Sequence, residues 1–236
     1  MPFFNEADNV VAVLTELREA VPLAEVVAVD DGSADDTWAL IQSVPEVRGL
    51  RLTENRGQSA AIYAGLQRAR GHYRATMDGD GQNDPADFPA LLKAAMAKGV
   101  DVAVGFRAKR KDVWSRRVAS KFANRIRRLF LNDGVRDTGC SMKVFREELV
   151  DDLVAFNGLH RYLPAIWKAH ERVIVEVPVN HRPRAAGTSK YTNWERALRG
   201  LYDLIGVGWL LHRQVRFPAQ DTYEPPEKDA DGSDTD

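Results

Sequence analysis

Cysteine is almost missing from this chain: Cys140 stands alone. That excludes an intramolecular disulfide framework and a zinc site built from several thiolates. Long apolar runs are missing too, and nothing approaches the ~18 uninterrupted residues that a membrane span needs. The first residues show no basic stretch followed by an apolar core, so no secretory signal is read there and the expected compartment is cytoplasmic. His72, His160, His170, His181 and His212 show no metal-ligand spacing, and each reads as an ordinary surface or core residue. Gly187-Thr188-Ser189-Lys190 lacks the order of a P-loop, and Gly79 and Gly81 do not continue into a dinucleotide fingerprint. Aromatic residues make up 8% and do not interleave with the basic stretch, so no stacking platform for nucleic acid is expected.

What remains is an ordinary globular composition, 44% hydrophobic and 28% charged. It excludes a collagen, a coiled coil and a wholly disordered chain. The 236 residues suit one large domain with appendages. The formal charge of −1 conceals an asymmetry. Seven acidic residues and one lysine lie between Asp221 and Asp236, so the rest of the chain carries 32 basic against 27 acidic residues. Arg107–Arg128 holds ten Lys/Arg with only Asp112 against them. The expected division is a catalytic domain over 1–195, an amphipathic helix over 196–217 and a disordered acidic tail over 218–236.

Short apolar runs alternate with helical patterns. Strands are expected at Glu25–Asp30, Arg48–Thr53, Tyr73–Asp78 and Asp101–Phe106, with helices over Asn9–Ala20, Asp36–Ser43, Gln58–Arg70 and Pro85–Lys98. This alternation predicts an α/β fold with a parallel sheet. Further strands are read near Ser141–Phe145 and Val173–Val179, and a last helix over 193–212. Met1–Glu6 runs into the first helix with no strand before it, although the first strand of such a sheet usually lies at its centre. The expectation is that the first strand is missing here and that strand-forming residues precede Met1 in the reading frame.

The strongest local signal is Met77-Asp78-Gly79-Asp80-Gly81-Gln82 at a strand end. Alternate residues of an extended segment project to one side, so Asp78, Asp80 and Gln82 can converge. Three oxygen donors beside glycines suit Mg²⁺ or Mn²⁺, which would bridge a diphosphate and neutralise its charge as it leaves. The competing reading is a turn rich in Asx residues, with Asp84 capping the helix after Pro85. A second acidic cluster, Asp30-Asp31-Gly32-Ser33, ends another strand, where α/β sheets bind ligands. Between 113 and 131, Val118, Phe122, Ile126 and Phe130 recur every four residues with the basic side chains largely off that stripe. Such a helix suits an anionic membrane surface, or is a plain surface helix.

Taken together, Pro2-Phe3-Phe4-Asn5-Glu6, Asp30-Asp31-Gly32-Ser33, Asn55-Arg56-Gly57 and Asp78–Pro85 resemble family 2 glycosyltransferases. Val113-Trp114-Ser115-Arg116-Arg117, Asp137-Thr138-Gly139-Cys140-Ser141 with Lys143, and Arg184–Tyr191 narrow the likeness to the dolichol-phosphate mannose synthase group of polyprenyl-phosphate transferases. The resemblance implies a GT-A fold, a divalent metal, and inverting transfer from a GDP- or UDP-linked mannose- or glucose-type sugar to a lipid phosphate. On it, Asp78, Asp80 and Gln82 match the metal and diphosphate site. Pro2, Asn5, Glu6, Asp30, Asp31, Asp78 and Lys190 match the nucleotide-sugar site. Arg107, Arg117, Ser120 and Ser189 match the acceptor-phosphate side, and Asp80, Asp137 and Arg184 the catalytic positions.

The implied partners are a sugar nucleotide, a polyprenyl phosphate, the cytoplasmic face of a membrane and, in place of the transmembrane hairpins many relatives carry, a separate integral membrane protein. Two other readings stay open: a family 2 transferase acting on a hydroxyl acceptor, and a non-catalytic adaptor that binds membrane or nucleic acid through the basic helix.

Overall fold

The computed structural model describes residues 1–108, 131, 134–183 and 193–213; for 193–199 and 201 it describes the backbone alone. The basic segment 113–130 therefore lies outside the described residues, as do Arg117, Ser120, Arg184, Ser189, Lys190 and the acidic tail.

Among the described residues, seven strands form two sheets: β1 (Pro2–Phe3), β2 (Val26–Asp30) and β3 (Val47–Arg51) in one, β4 (Tyr73–Thr76), β5 (Val102–Arg107), β6 (Lys143–Arg146) and β7 (Ile174–Val179) in the other. The helices are α1 (Val10–Ala20), α2 (Thr37–Ser43), α3 (Gln58–Arg68), α4 (Phe88–Ala95), α5 (Leu159–Ala169) and α6 (Asn193–Arg213). The first sheet is parallel in the order β1-β2-β3, and the second runs β4-β6-β5-β7. The sheets are mostly parallel and flanked by helices, as the alternation predicts.

Two details differ from the expectation. The opening residues do form a strand: Pro2 and Phe3 pair with Val29 and Asp30, and the amide of Val29 donates to the carbonyl of Met1 at 2.7 Å. The strand is hard to read because two residues carry no period. Among the described residues it makes no ladder with β4, and an apolar cavity of about 330 Å³ lined by Val26, Val27, Ala75 and Met77 lies between β2 and β4. The second difference is β6, which is antiparallel to both β4 and β5. The segment after β5 returns to the same end of the sheet, so the next strand must run backwards. That reversal places Cys140–Lys143 at the carboxyl end of β4.

Strand alternation sorts side chains between two helical layers. Val26 and Ala28 of β2, Ala103 of β5 and Val144 of β6 join α1, α2 and α4 in one buried cluster. Val102, Val104 and Phe145 join α3, α5 and α6 in another. Trp167 lies fully inside this second layer, its ring 4.5 Å from that of Phe145 and its Nε1 donating to the carbonyl of Leu149 at 3.1 Å. Burying a side chain of this size contributes about 2–3 kcal/mol. Leu204 and Val207 of α6 are buried in the same layer, while Tyr202, Ile205 and Trp209 are left exposed on its outer side. Among the described residues no helix is long and apolar enough to cross a membrane.

Candidate active site

The carboxyl ends of β1, β2 and β4 meet, and both acidic loops rise there. The loop after β1 is tied to the loop after β2. Asn5 takes a left-handed backbone (φ 52), which its short polar side chain tolerates. Its amide donates to Ser33 Oγ at 2.9 Å, and its Oδ1 accepts from the amide of Ala34 at 2.9 Å. The amide of Glu6 donates to Thr37 Oγ1 at 2.9 Å, while its carboxylate accepts from Asn9 Nδ2 at 2.7 Å.

Asp30 and Asp31 are both buried. Asp30 Oδ1 accepts from the amide of Ser33 at 3.1 Å. Its Oδ2 lies 3.1 Å from Arg51 Nε but has no partner with hydrogen-bond geometry. Asp31 accepts from the amides of Arg56 and Gly57, one on each oxygen and each at 2.8 Å, and so holds the loop that opens α3. Burial pushes its pKa up, against the pull of those two amides. Between the two carboxylates and α3, Gly32 (φ 69) has no alternative, because a Cβ there would lie 2.5 Å from the backbone of Glu54.

The loop after β4 is arranged differently. Asp78 is only half-buried, and its Oδ1 accepts from Gln58 Nε2 at 2.6 Å. Its pKa is raised, first by burial and then by the charge of Asp80, against Lys143, Ser141 and Gln58. Gly79 is required because β1 passes directly behind it: a Cβ would lie 2.4 Å from the Phe3 ring. Asp80 accepts from the amide of Gln82 at 3.2 Å. Gln82 turns its amide nitrogen toward the carbonyl of Arg182, at 3.4 Å. Asp84 does cap the turn at Pro85, accepting from the amide of Ala86 at 3.1 Å. The capping reading of that residue and the paired-carboxylate reading of Asp78 and Asp80 therefore apply to different parts of one loop.

Beside Asp78 opens a polar cleft of about 280 Å³, walled by Gln58, Thr138, Ser141, Lys143 and His160. Ser141 Oγ accepts from the amide of Asp78 at 3.1 Å and from Asn83 Nδ2 at 3.0 Å. Lys143 is fully buried and donates to the carbonyl of Cys140 at 2.5 Å. Burial lowers its pKa, opposed by Cys140, Asp78 and Asp137. The sequence reading gave Gln58, Ser141 and Lys143 no role. A lysine inside the apolar strand pattern of Met142–Phe145 was the available signal, since such a charge is seldom buried without an anion to face.

Arg107 and Asp137, read separately as a phosphate ligand and a catalytic carboxylate, are brought together. Arg107 Nε donates to Asp137 Oδ2 at 2.7 Å and its Nη2 to Oδ1 at 2.8 Å, in a forked pair with both side chains largely shielded. Arg182 is held by Glu16 (2.7 Å) and Asp84 (2.9 Å).

As a donor set for a metal, Asp78 and Asp80 fit. They are hard oxygen ligands whose mutual repulsion a divalent cation would relieve. Among the described residues no group of three or more His, Cys, Asp and Glu gathers for a metal.

The fold is that of the α/β nucleotide-sugar transferase class. The chain belongs to glycosyl transferase family 2, whose pattern it matches over residues 1–154. It is 34% identical over 229 residues to dodecaprenyl-phosphate galacturonate synthase of Rhizobium johnstonii, covering 92% of this chain and 67% of that protein. It is 33% identical over 214 residues to the undecaprenyl-phosphate 4-deoxy-4-formamido-L-arabinose transferase of Aeromonas hydrophila, covering 87% and 65%. The chain thus spans about two thirds of the length of these curated relatives. Among solved structures, glucosyl-3-phosphoglycerate synthase of Mycobacterium tuberculosis, in complex with Mn²⁺ and UDP-glucose, has the same fold with a TM-score of 0.69 at 17% identity, over 89% of this chain and 76% of that one.

Proposed function

We propose that this protein moves one sugar, with inversion, from a nucleoside-diphosphate donor to a polyprenyl phosphate at the cytoplasmic face of a membrane. The observation that carries the reading is the Asp78–Asp80 pair at the mouth of a cleft that also holds Lys143. The two curated relatives support the acceptor class, since both are named for polyprenyl-phosphate products or substrates. The sugars in their names are a galacturonate and a formamido-arabinose, neither of them the mannose of the resembled group.

Asp78 and Asp80, with Gln82 beside them, would hold Mg²⁺ or Mn²⁺, which when bound supplies positive charge to the departing diphosphate. The chain's own residues do the rest. Lys143 adds a fixed cation behind Asp78. The Arg107–Asp137 pair keeps the end of β5 and the Thr138–Ser141 loop rigid, and Arg117, Ser120, Arg184, Ser189 and Lys190 are the proposed grips for the two phosphate groups. The acceptor needs little help from a base, because a phosphate monoester with a second pKa of about 6 is already largely anionic at neutral pH. Its oxygen attacks the anomeric carbon from the face opposite the diphosphate. The carbon–oxygen bond to the diphosphate breaks as the new one forms, so rate depends on alignment and on stabilising the leaving group.

Membrane contact is proposed through the basic segment 113–131 and the exposed Tyr202, Ile205 and Trp209 of α6, side chains that suit a lipid–water boundary. The test is incubation with Mn²⁺, labelled UDP-glucose, UDP-galacturonate or GDP-mannose, and undecaprenyl phosphate in anionic vesicles, followed by organic extraction. Label in the organic phase that disappears with EDTA is the expected result. Label transferred only to water-soluble acceptors would replace this reading with the hydroxyl-acceptor one.

A further inference from the structure

His160, read from the sequence as an ordinary histidine, lines the cleft beside Asp78 and is held there in a defined way. Its Nδ1 lies 2.7 Å from Ser59 Oγ. Ser59 is buried, and its Oγ already accepts from the amide of Gly158 at 2.9 Å. A buried hydroxyl proton left without an acceptor costs about 1–3 kcal/mol. Among the described residues, His160 Nδ1 is the acceptor in reach, so the hydroxyl donates to it. The imidazole proton then sits on Nε2. His160 keeps partial exposure and forms part of the cleft wall. The ring is thus held at Nδ1 and carries its one N–H on Nε2, at the wall of the cleft. Burial and the charges of Arg161 and Lys143 push the His160 pKa down to about 3, so the ring carries no charge while the site works.

Resting on the transferase reading above, we infer that the Nε2–H of His160 donates a hydrogen bond to an oxygen of the transferred sugar and so helps to set which sugar the enzyme accepts. The other wall residues explain the choice of sugar over phosphate. Lys143 and Arg161 are cations suited to phosphate oxygens, whereas a neutral donor locked in one orientation suits a hydroxyl at one ring position. A site built to hydrogen-bond such an oxygen discriminates against an analogue that lacks it, because the donor is then left unpaired once the bound substrate has covered it. The same turn of α3 supplies Gln58 to Asp78 and Ser59 to His160, so the sugar contact and the carboxylate pair share one support.

Two measurements test this on the full chain. In ¹⁵N-histidine-labelled protein at pH 7, the two-bond correlations of His160 should show the proton on Nε2; a proton on Nδ1, or on both nitrogens, overturns the inference. In the transfer assay with undecaprenyl phosphate, His160→Asn keeps an amide within reach of Ser59 but loses the donor in the cleft, whereas His160→Gln can extend one to the Nε2 position. His160→Asn should lower kcat/KM for the sugar nucleotide about 3- to 12-fold, the worth of one neutral hydrogen bond, with the KM for undecaprenyl phosphate and the melting temperature unchanged. His160→Gln should recover part of the loss. An unchanged kcat/KM in His160→Asn, equal losses in both variants, or a loss carried by the acceptor KM overturns the inference while leaving the transferase reading intact. A wild-type enzyme that transfers from no sugar nucleotide removes both together.

Discussion

The two acidic loops look alike in sequence and serve different ends. Asp30-Asp31 and Asp78-Gly79-Asp80 each follow a strand and each precede a helix. In the first loop the carboxylates turn inward: Asp31 is saturated by two backbone amides, and Asp30 is buried against Ser33 and Arg51. In the second, Asp78 stands at the mouth of a cleft, its pKa pushed up first by burial and then by the charge of its neighbour Asp80. What separates the loops is that both oxygens of Asp31 are taken by backbone amides, whereas Asp78 accepts from the Gln58 side chain and faces the charge of Asp80.

The sharpest way to break this contrast is Asp80→Ala. It should reduce kcat by ~10³-fold or more in the extraction assay, about 4 kcal/mol of transition-state stabilisation, with the circular dichroism spectrum kept. Substantial remaining transfer would show that the second loop is as structural as the first. Asp31→Ala should act on the other side of the comparison. Leaving the amides of Arg56 and Gly57 without acceptors should cost about 3 kcal/mol, seen as a melting temperature lower by roughly 6–12 °C. If the fold were unaffected and only donor binding fell, Asp31 would belong with the ligand contacts.

A third carboxylate sharpens the contrast. Asp137 is engaged by Arg107, and a dianionic acceptor needs no strong base, so Asp137→Asn should lower kcat about 30-fold and leave measurable transfer. A loss as complete as that of Asp80→Ala would contradict this account of the acceptor. The smallest effect concerns stability alone. Because the pKa of Asp78 is raised above its ordinary 3.8, the folded protein holds a proton that the unfolded chain has released, so stability falls as pH climbs through that window. Asp78→Asn should therefore melt a few degrees higher than wild type at pH 7 while losing transfer, and the gap should close as pH falls toward 3.8. A lower melting temperature at pH 7 would show that Asp78 is saturated like Asp31.

Much of this was readable along the chain. Strands such as Val26–Asp30 and Val102–Arg107 carry dense β-branched runs, and helices such as Val10–Ala20 keep their apolar residues on one face, so local periodicity places them. The Asp78/Asp80 spacing shows because alternation is itself local. Illegible were the two-residue β1, the reversal of β6 and every pairing between distant residues: Arg107 with Asp137, Ser59 with His160, Gln58 with Asp78. The resemblance matches Arg107 to the acceptor-phosphate side, and the fold adds what the motif does not show, its forked pairing with Asp137.

The sequence by itself determined the alternating α/β order, the oxygen-rich loop after β4 and the membership of family 2, since each is written in neighbouring residues or in ordered motifs. Only the tertiary structure decided which carboxylates are satisfied, that a lysine stands fully buried behind Asp78, and that Ser59 stands against one nitrogen of His160. Those outcomes depend on burial and on partners as far as 101 residues apart, because the energy of a polar group is fixed by whatever surrounds it after the chain has closed.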